Sequence, residues 1–201
     1  FPTRLSSDLE LYIQGFQDCQ AGKYEDGVGR FNALIREING DRHPDRIPWG
    51  VLWYQGIAAG HIGNFDLAVS NFQRLLDAAV ADEAKRKDDL VRVPLQTNEY
   101  RYVLATMQQH AGQNAAALAL YKEVLTNDIG VYMANVQRAN IFEAERRYDE
   151  ALVERRSAIN ANPDDPSLLL DLGVTLGKAG KFDQAEATLR QAVAANPRDS
   201  R

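Results

Sequence analysis

Three histidines and one cysteine are the residues of this chain whose side chains could most readily do chemistry. His43, His61 and His110 lack partners at metal-ligand spacing, no His-Glu-x-x-His pair occurs, and Cys19 has no neighbouring cysteine. A buried free cysteine is commonly a small hydrophobic residue, although Cys19 beside an aromatic wall could also be a reactive thiol. We therefore expect no metal site and no cofactor.

Paired carboxylates and glycine-rich loops give no sign of catalysis either. Asp88-Asp89 and Asp164-Asp165 lie in charged or turn segments, where solvated and helix-capping groups explain them better than an acid and base pair. The glycines are dispersed rather than gathered into a phosphate-binding loop such as G-x-x-x-x-G-K-[ST]. The sequence therefore predicts that the protein is not an enzyme.

Composition and charge exclude further classes of function. The 201 residues are 45% hydrophobic and 25% charged, and the net charge of -5 is divided evenly between the two halves, so no nucleic-acid partner is expected. The apolar stretches are shorter than the roughly 18 residues that cross a bilayer, so we expect no membrane span. Because Phe1-Pro2-Thr3 shows neither an initiator Met nor a leader, we expect a processed chain or a piece of a longer one. Such a chain would be soluble, either in the cytoplasm or outside it after signal removal.

The glycines recur in a pattern that positions the elements: a Gly, an aromatic residue two places later, and a small residue three places after that. Complete copies lie at 22–27, 63–68 and 180–185, while the copy at 112–117 lacks the aromatic residue and the copy at 146–151 lacks the Gly. The small residues are Gly27, Ala68, Ala117, Ala151 and Ala185, with spacings of 41, 49, 34 and 34. The chain is therefore predicted to contain five repeats with a basic period of 34 residues.

Each repeat has the pattern of a helical hairpin. Upstream of the last turn, apolar residues recur at helical spacing at Leu168, Leu172 and Leu176, and a second apolar stripe follows the turn. Asn-Pro pairs end the last two second helices, and the segment 164–167 supplies capping chemistry for the helix that begins there. Four first helices carry a small residue that would allow close approach of the second helix: Gly15, Gly56, Ala139 and Gly173.

These residues resemble the tetratricopeptide repeat family over nearly the whole chain, from about Ser7 to Asp199. Agreement is strongest at Leu172, Gly173, Gly180, Phe182, Ala185, Ala192 and Pro197. Other residues stand where the family often has Trp: Leu11, Leu52, Arg101, Asn135 and Leu169. The resemblance implies an all-α fold, a right-handed α-solenoid superhelix of stacked antiparallel helix pairs whose first helices line a concave groove. It also implies protein binding rather than catalysis.

The repeats imply one domain over residues 1–201, with approximate repeats at 7–38, 49–86, 98–131, 132–165 and 166–199. Two insertions lengthen the first two spacings, near 39–48 and 78–97. The first contains two prolines and is predicted to be a loop. The second mixes both charges at 82–89 and is predicted to prolong its helix outward. The alternative is a partner-docking arm that uses Leu90, Val91, Val93 and Leu95.

The first helices of the first three repeats present aromatic residues toward the groove. The candidate partner-binding set is Tyr12, Phe16, Trp53, Tyr54, Ile57, His61, Tyr102, Thr106, Gln109 and Asn140. Aromatic anchors would suit an apolar or helical segment of a partner protein. The alternative is that these rings pack against one another and against the two insertions. His61 and His110 occupy equivalent places in successive repeats, either as ordinary helix-end imidazoles or as a pair at the groove edge.

Two functions remain open on this sequence. The first is a scaffold that binds a protein segment in its groove, without the carboxylate clamp of one family subset, since residues such as Tyr54 and Glu99 stand at the clamp positions. The second is a structural subunit that docks through its convex face, its insertions or its C-terminal helix. Because only residues 196–201 follow the apolar stripe of the last helix, we expect further repeats or another subunit to cover that helix.

Overall fold

The computed structural model describes residues 4–40, 47–85 and 95–195. Within these ranges the chain forms ten α-helices and no strand, which confirms the predicted all-α fold. The helices are α1 (Arg4–Gln20), α2 (Tyr24–Gly40), α3 (Trp49–His61), α4 (Phe65–Lys85), α5 (Leu95–His110), α6 (Asn114–Asn127), α7 (Tyr132–Ala144), α8 (Tyr148–Ala161), α9 (Pro166–Lys178) and α10 (Phe182–Ala195). They divide into unit 1, Phe1–Gly112, and unit 2, Gln113–Arg201.

A left-handed glycine follows four of the helices. Gly22, Gly63, Gly112 and Gly180 have φ angles between 74° and 76°. This conformation costs a residue with a Cβ about 1–2 kcal/mol, so the recurrent Gly is required by the turn. Beyond Gly63, the amide of Asn64 donates to the carbonyl of Ala59 at 2.8 Å, which satisfies a carbonyl that α3 leaves free at its end.

Helix pairs in unit 1 pack through the small residues that the spacing predicts. A Cβ added to Gly15 would lie 2.9 Å from the Phe31 ring, and one added to Gly56 would lie 2.8 Å from the Phe72 ring. Both phenylalanines are fully buried. The first and second helices of these pairs therefore approach as closely as a missing side chain allows.

A row of three amides, two of them buried, joins α2, α3 and α4. Gln55 donates to Asn32 Oδ1 at 2.9 Å and accepts from Asn71 Nδ2 at 2.9 Å. Gln55 and Asn71 are buried, so these hydrogen bonds replace those that water would otherwise make. The row fixes the second helix pair of unit 1 against the first.

In unit 2, α8 packs against both α7 and α9. Leu152 of α8 shares a core cluster with Leu172 and Leu176 of α9. A Cβ added to Gly173 would lie 2.6 Å from the Leu189 side chain of α10, so the predicted close approach recurs in the last hairpin.

The start of α9 has the predicted capping chemistry. The Asp165 carboxylate accepts the backbone amide of Ser167 at 3.0 Å, and Pro166 occupies the first turn. A carboxylate at this place satisfies an amide that has no partner inside the helix.

The two predicted insertions fall partly outside the described residues. Residues 41–46 and 86–94 are not described, which includes His43, Leu90, Val91 and Val93 of the sequence predictions. The charged segment does continue α4 as far as Lys85. None of the described helices is both long and apolar enough to cross a membrane.

Candidate functional site

The first helices of unit 1 bring aromatic side chains together. Phe16 of α1 and Tyr54 of α3 meet edge to face, with ring centroids 4.8 Å apart. Trp53 of α3 lies 5.7 Å from the ring of Tyr100 on α5. We call five rings of these three helices the aromatic face: Tyr12, Phe16, Trp53, Tyr54 and Tyr102.

Rings of the second helices support the aromatic face from behind. Tyr12 lies 6.4 Å from Phe31 of α2, and Trp53 meets Phe72 of α4 edge to face at 5.3 Å. Phe31 and Phe72 belong to the core, whereas every ring of the aromatic face is half-buried. Four of these rings therefore pack against neighbouring rings and still keep part of their surface in solvent: Tyr12, Phe16, Trp53 and Tyr54.

Three further candidate residues extend the aromatic face along α3 and α5. Ile57 lies one helical turn beyond Trp53, and Thr106 lies one turn beyond Tyr102. Ile57, Thr106 and Gln109 are all half-buried. The Thr106 hydroxyl donates to the Tyr102 carbonyl at 3.0 Å.

His61 and His110 make equivalent but separate stacks. His61 ends α3 and stacks on Tyr24 of α2 with centroids 4.0 Å apart. His110 ends α5 and stacks on Phe65 of α4 at 5.5 Å. Each imidazole thus lies on the aromatic residue that begins the preceding second helix, as expected of helix-end imidazoles rather than of a histidine pair.

Asn140, the candidate residue of unit 2, belongs to a charged network. Its Oδ1 accepts from Arg155 Nη2 at 2.8 Å, and its Nδ2 donates to Gln137 Oε1 at 3.3 Å. Arg155 also binds Glu143 Oε1 at 2.8 Å and Asp171 Oδ2 at 3.1 Å. Sequence reasoning missed this network because Arg155 falls within a helical stripe otherwise typical of core packing. A lone charged residue at such a stripe position is the signal that could have revealed it.

Glu143 holds its negative charge within this network. Burial alone would raise its pKa, but hydrogen bonds from Lys178, Thr175 and Arg155 outweigh burial and keep the pKa below the usual glutamate value. The ammonium group of Lys178 lies 2.6 Å from Glu143 Oε2. The charges of the network are therefore largely engaged with one another.

Cys19 packs as a small hydrophobic residue. Its Sγ would lie 2.7 Å from a Cβ placed on Gly27, so the thiol fills the space that this glycine leaves. Burial and the neighbouring charge of Asp18 raise the pKa of the thiol, which keeps it protonated and poorly nucleophilic.

Across the described ranges, no group of three His, Cys, Asp or Glu side chains is placed to hold a metal ion.

Comparison with known proteins links the chain to a family of helical repeats. Residues 142–201 match the family model described as Tetratricopeptide repeat. A stretch of 90 residues, 45% of this chain, is 31% identical to DnaJ homolog subfamily C member 3 of Homo sapiens and to that of Bos taurus. The matched stretch spans only 18% of the length of these relatives.

Solved structures of MamA proteins share the fold over nearly the full chain. The MamA fragment 41-end from Desulfovibrio magneticus RS-1 has a TM-score of 0.72 at 12% identity and covers 97% of this chain and 98% of its own. A crystal structure of MamA protein has a TM-score of 0.69 at 12% identity, covering 96% and 94%. At this identity the likeness shows the fold alone. The paired helices, the left-handed glycine turns and the family match over residues 142–201 together support a tetratricopeptide-repeat protein.

Proposed function

We propose that this protein is a non-enzymatic scaffold that binds an apolar or helical segment of a partner protein on the aromatic face of unit 1. The observation that carries the proposal is that five aromatic side chains on three neighbouring first helices are each only half-buried. Aromatic side chains dominate the energetics of many protein interfaces because they offer a large apolar area at low conformational cost. Partly solvated rings held in place by core rings are suited to that role.

Part of the surroundings of the rings adds apolar area to the aromatic face. Leu9 precedes Tyr12 and Phe16 by three and seven positions on α1, so it shares their side of the helix, and it is 59% exposed. Arg30, the cation that packs against α1, donates to Asp18 and to Gln14. The partner segment is therefore proposed to present aliphatic or aromatic side chains.

The width of the aromatic face suggests the size of that segment. Neighbouring helices pack about 8–10 Å apart, so three first helices span roughly 16–20 Å. A helix rises 1.5 Å per residue, so about 11–13 residues would cross this distance. An amphipathic helix of three turns, laid across α1, α3 and α5 with its apolar side down, fits the proposed mode.

Selection from a phage-displayed peptide library tests this function. The purified chain is expected to enrich peptides with apolar residues at helical spacing. Fluorescence polarisation should then show that a variant with Tyr12→Ala, Trp53→Ala and Tyr102→Ala binds the selected peptides at least about tenfold more weakly. Helicity and melting temperature are compared first, so that lost binding is not mistaken for lost folding.

A pair of surface variants provides the matched control. Leu9 and Val80 are exposed aliphatic residues of the same unit, one beside the aromatic face on α1 and the other on the second helix α4. Leu9→Lys is expected to weaken peptide binding, whereas Val80→Lys is expected to leave it unchanged. Equal effects of the two substitutions, or no enrichment of any peptide, would contradict the proposal.

A further inference from the structure

Three rings form a cluster at one edge of the aromatic face, near the start of α3. Trp49 and Trp53 lie one turn apart on α3, and both contact Tyr100 of α5, with ring centroids 6.4 Å and 5.7 Å from that of Tyr100. Tyr100 is buried, whereas Trp49 is 44% exposed and is therefore more open to solvent than any ring of the aromatic face. Trp49 thus offers an indole surface beside the proposed binding site.

Glu99 adds a negative charge at the same edge. Its side chain is exposed and lies three positions before Tyr102 on α5, so the two residues share a side of the helix. Burial raises the pKa of the Tyr100 hydroxyl, and the nearby charge of Glu99 raises this pKa further. The Glu99 carboxylate and the Trp49 indole are therefore both neighbours of Tyr100.

Glu99 differs from the other carboxylate of this surface in its charge balance. Asp18, near the end of α1, binds Arg30 of α2. Helix α3 contains no Lys or Arg, and none of the described cationic side chains pairs with Glu99. A purely apolar segment that covered this edge would remove water from Glu99 without supplying a partner, which costs free energy. The partner segment is therefore expected to bring a positive charge.

An arginine side chain suits both groups at this edge. A guanidinium group stacks its flat face on an indole ring and donates to a carboxylate through its N–H groups. A lysine ammonium group can also pair with Glu99, but it is a compact point charge that does not stack in this way. An acidic side chain would instead meet a like charge, which opposes association.

We propose that the partner segment bound by the aromatic face carries an arginine that stacks on Trp49 and pairs with Glu99. The inference rests on the proposed function and specifies the chemistry of its partner. That partner is an amphipathic helix whose apolar side covers the rings and whose flank toward Trp49 and Glu99 is basic.

Synthetic amphipathic peptides of about 13 residues test this inference. All carry the same leucines at helical spacing and differ only in whether the polar flank holds arginine, lysine or citrulline. Citrulline has nearly the shape of arginine but no charge. Fluorescence polarisation of the labelled peptides measures their dissociation constants. The arginine peptide is expected to bind about fivefold to tenfold more tightly than the citrulline peptide, with the lysine peptide between them.

Substitutions at the edge locate the origin of this preference. Glu99→Gln is expected to weaken binding of the arginine peptide about threefold to fivefold and to leave the citrulline peptide unchanged. Trp49→Leu should reduce the advantage of arginine over lysine, because it removes the stacking surface. Glu25→Gln is the matched control, since Glu25 is an exposed glutamate of α2 and its loss changes the net charge equally. This control should leave every dissociation constant unchanged, and circular dichroism checks that each variant keeps its helices.

The outcomes separate this inference from the proposed function. If the three peptides bind equally, and the variant with Tyr12→Ala, Trp53→Ala and Tyr102→Ala loses all of them, the aromatic face binds a partner without selecting a cation. The inference is then wrong while the proposed function stands. It is also wrong if the arginine peptide keeps its full advantage in Glu99→Gln, because the attraction would then come from the overall charge of -5. If no peptide binds the parent chain, both fail.

Discussion

Arg155 and Glu143 form a buried ion pair, with Arg155 Nη2 2.8 Å from Glu143 Oε1 and the two side chains only 6% and 9% exposed. Arg155 projects from α8, Glu143 lies in the last turn of α7, and the same guanidinium reaches Asp171 of α9. One charged side chain thus ties together three helices of unit 2 that belong to two successive repeats.

Loss of Arg155 is expected to destabilise unit 2 strongly. Arg155→Ala removes one of the two cations that bind the buried carboxylate of Glu143, while Lys178 and Thr175 still bind it, and is expected to cost about 1–3 kcal/mol of the free energy of unfolding. Urea denaturation followed by circular dichroism measures this loss. Lys181→Ala removes an ion pair to Asp149 on the surface of the same unit and is expected to cost far less. Similar losses for both variants would show that the network contributes no more than a surface pair.

Glu143 and Glu154 are expected to titrate on opposite sides of the usual glutamate pKa. The hydrogen bonds to Glu143 outweigh its burial and lower its pKa, whereas burial raises the pKa of Glu154 more than Arg138, 2.8 Å away, lowers it. Carboxyl carbon shifts followed by NMR over an acid titration measure both values. Two midpoints at the same pH would contradict the prediction.

These opposite pKa shifts have opposite consequences for stability. The contribution of Glu143 is present above the unfolded glutamate pKa and is lost as the pH falls through its lowered folded pKa. Glu154 binds its proton more tightly in the folded chain, so its contribution is present at acidic pH and is lost as the pH rises through its raised pKa. Denaturation of Glu154→Gln across the same pH range should therefore lack the component of stability that the parent loses on rising from acidic to neutral pH.

Much of the fold is readable from the sequence because local rules set it. Gly22, Gly63 and Gly180 mark turns, since only glycine adopts their φ angle at low cost, and Gly56 marks the close approach of two helices. The membership of the aromatic face follows from helical spacing. The partial burial of these rings does not follow from helical spacing, because Phe31 and Phe72, which pack behind them, belong to other helices. The Arg155 network was equally hidden, since its partners lie 12 to 20 positions away along the chain.

Two helical glycines are expected to respond oppositely to alanine. A Cβ at Gly56 would lie 2.8 Å from the buried Phe72 ring, so Gly56→Ala should destabilise the chain by about 1–3 kcal/mol through overpacking. A Cβ at Gly177 meets nothing within 4 Å, so Gly177→Ala should gain about 0.5–1 kcal/mol from helix propensity. Thermal denaturation compares the two variants. If Gly56→Ala were more stable than the parent chain, the close approach of α3 and α4 would not require a glycine at position 56.

Replacement of Arg146 by glycine is expected to stabilise the chain. Arg146 occupies the turn between α7 and α8 with φ of 59°, at the place where the other repeats have a left-handed glycine. That conformation costs a residue with a Cβ about 1–2 kcal/mol, and glycine avoids this cost. Glycine also adds conformational entropy to the unfolded chain, which offsets part of the gain. Arg146→Gly should therefore raise the free energy of unfolding by at most about 1 kcal/mol. Denaturant titration measures the gain, and Gly180→Ala in the following turn provides the converse, since it should lose a similar amount. If Arg146→Gly were instead destabilising, contacts of the arginine side chain would have to outweigh the strain of its backbone.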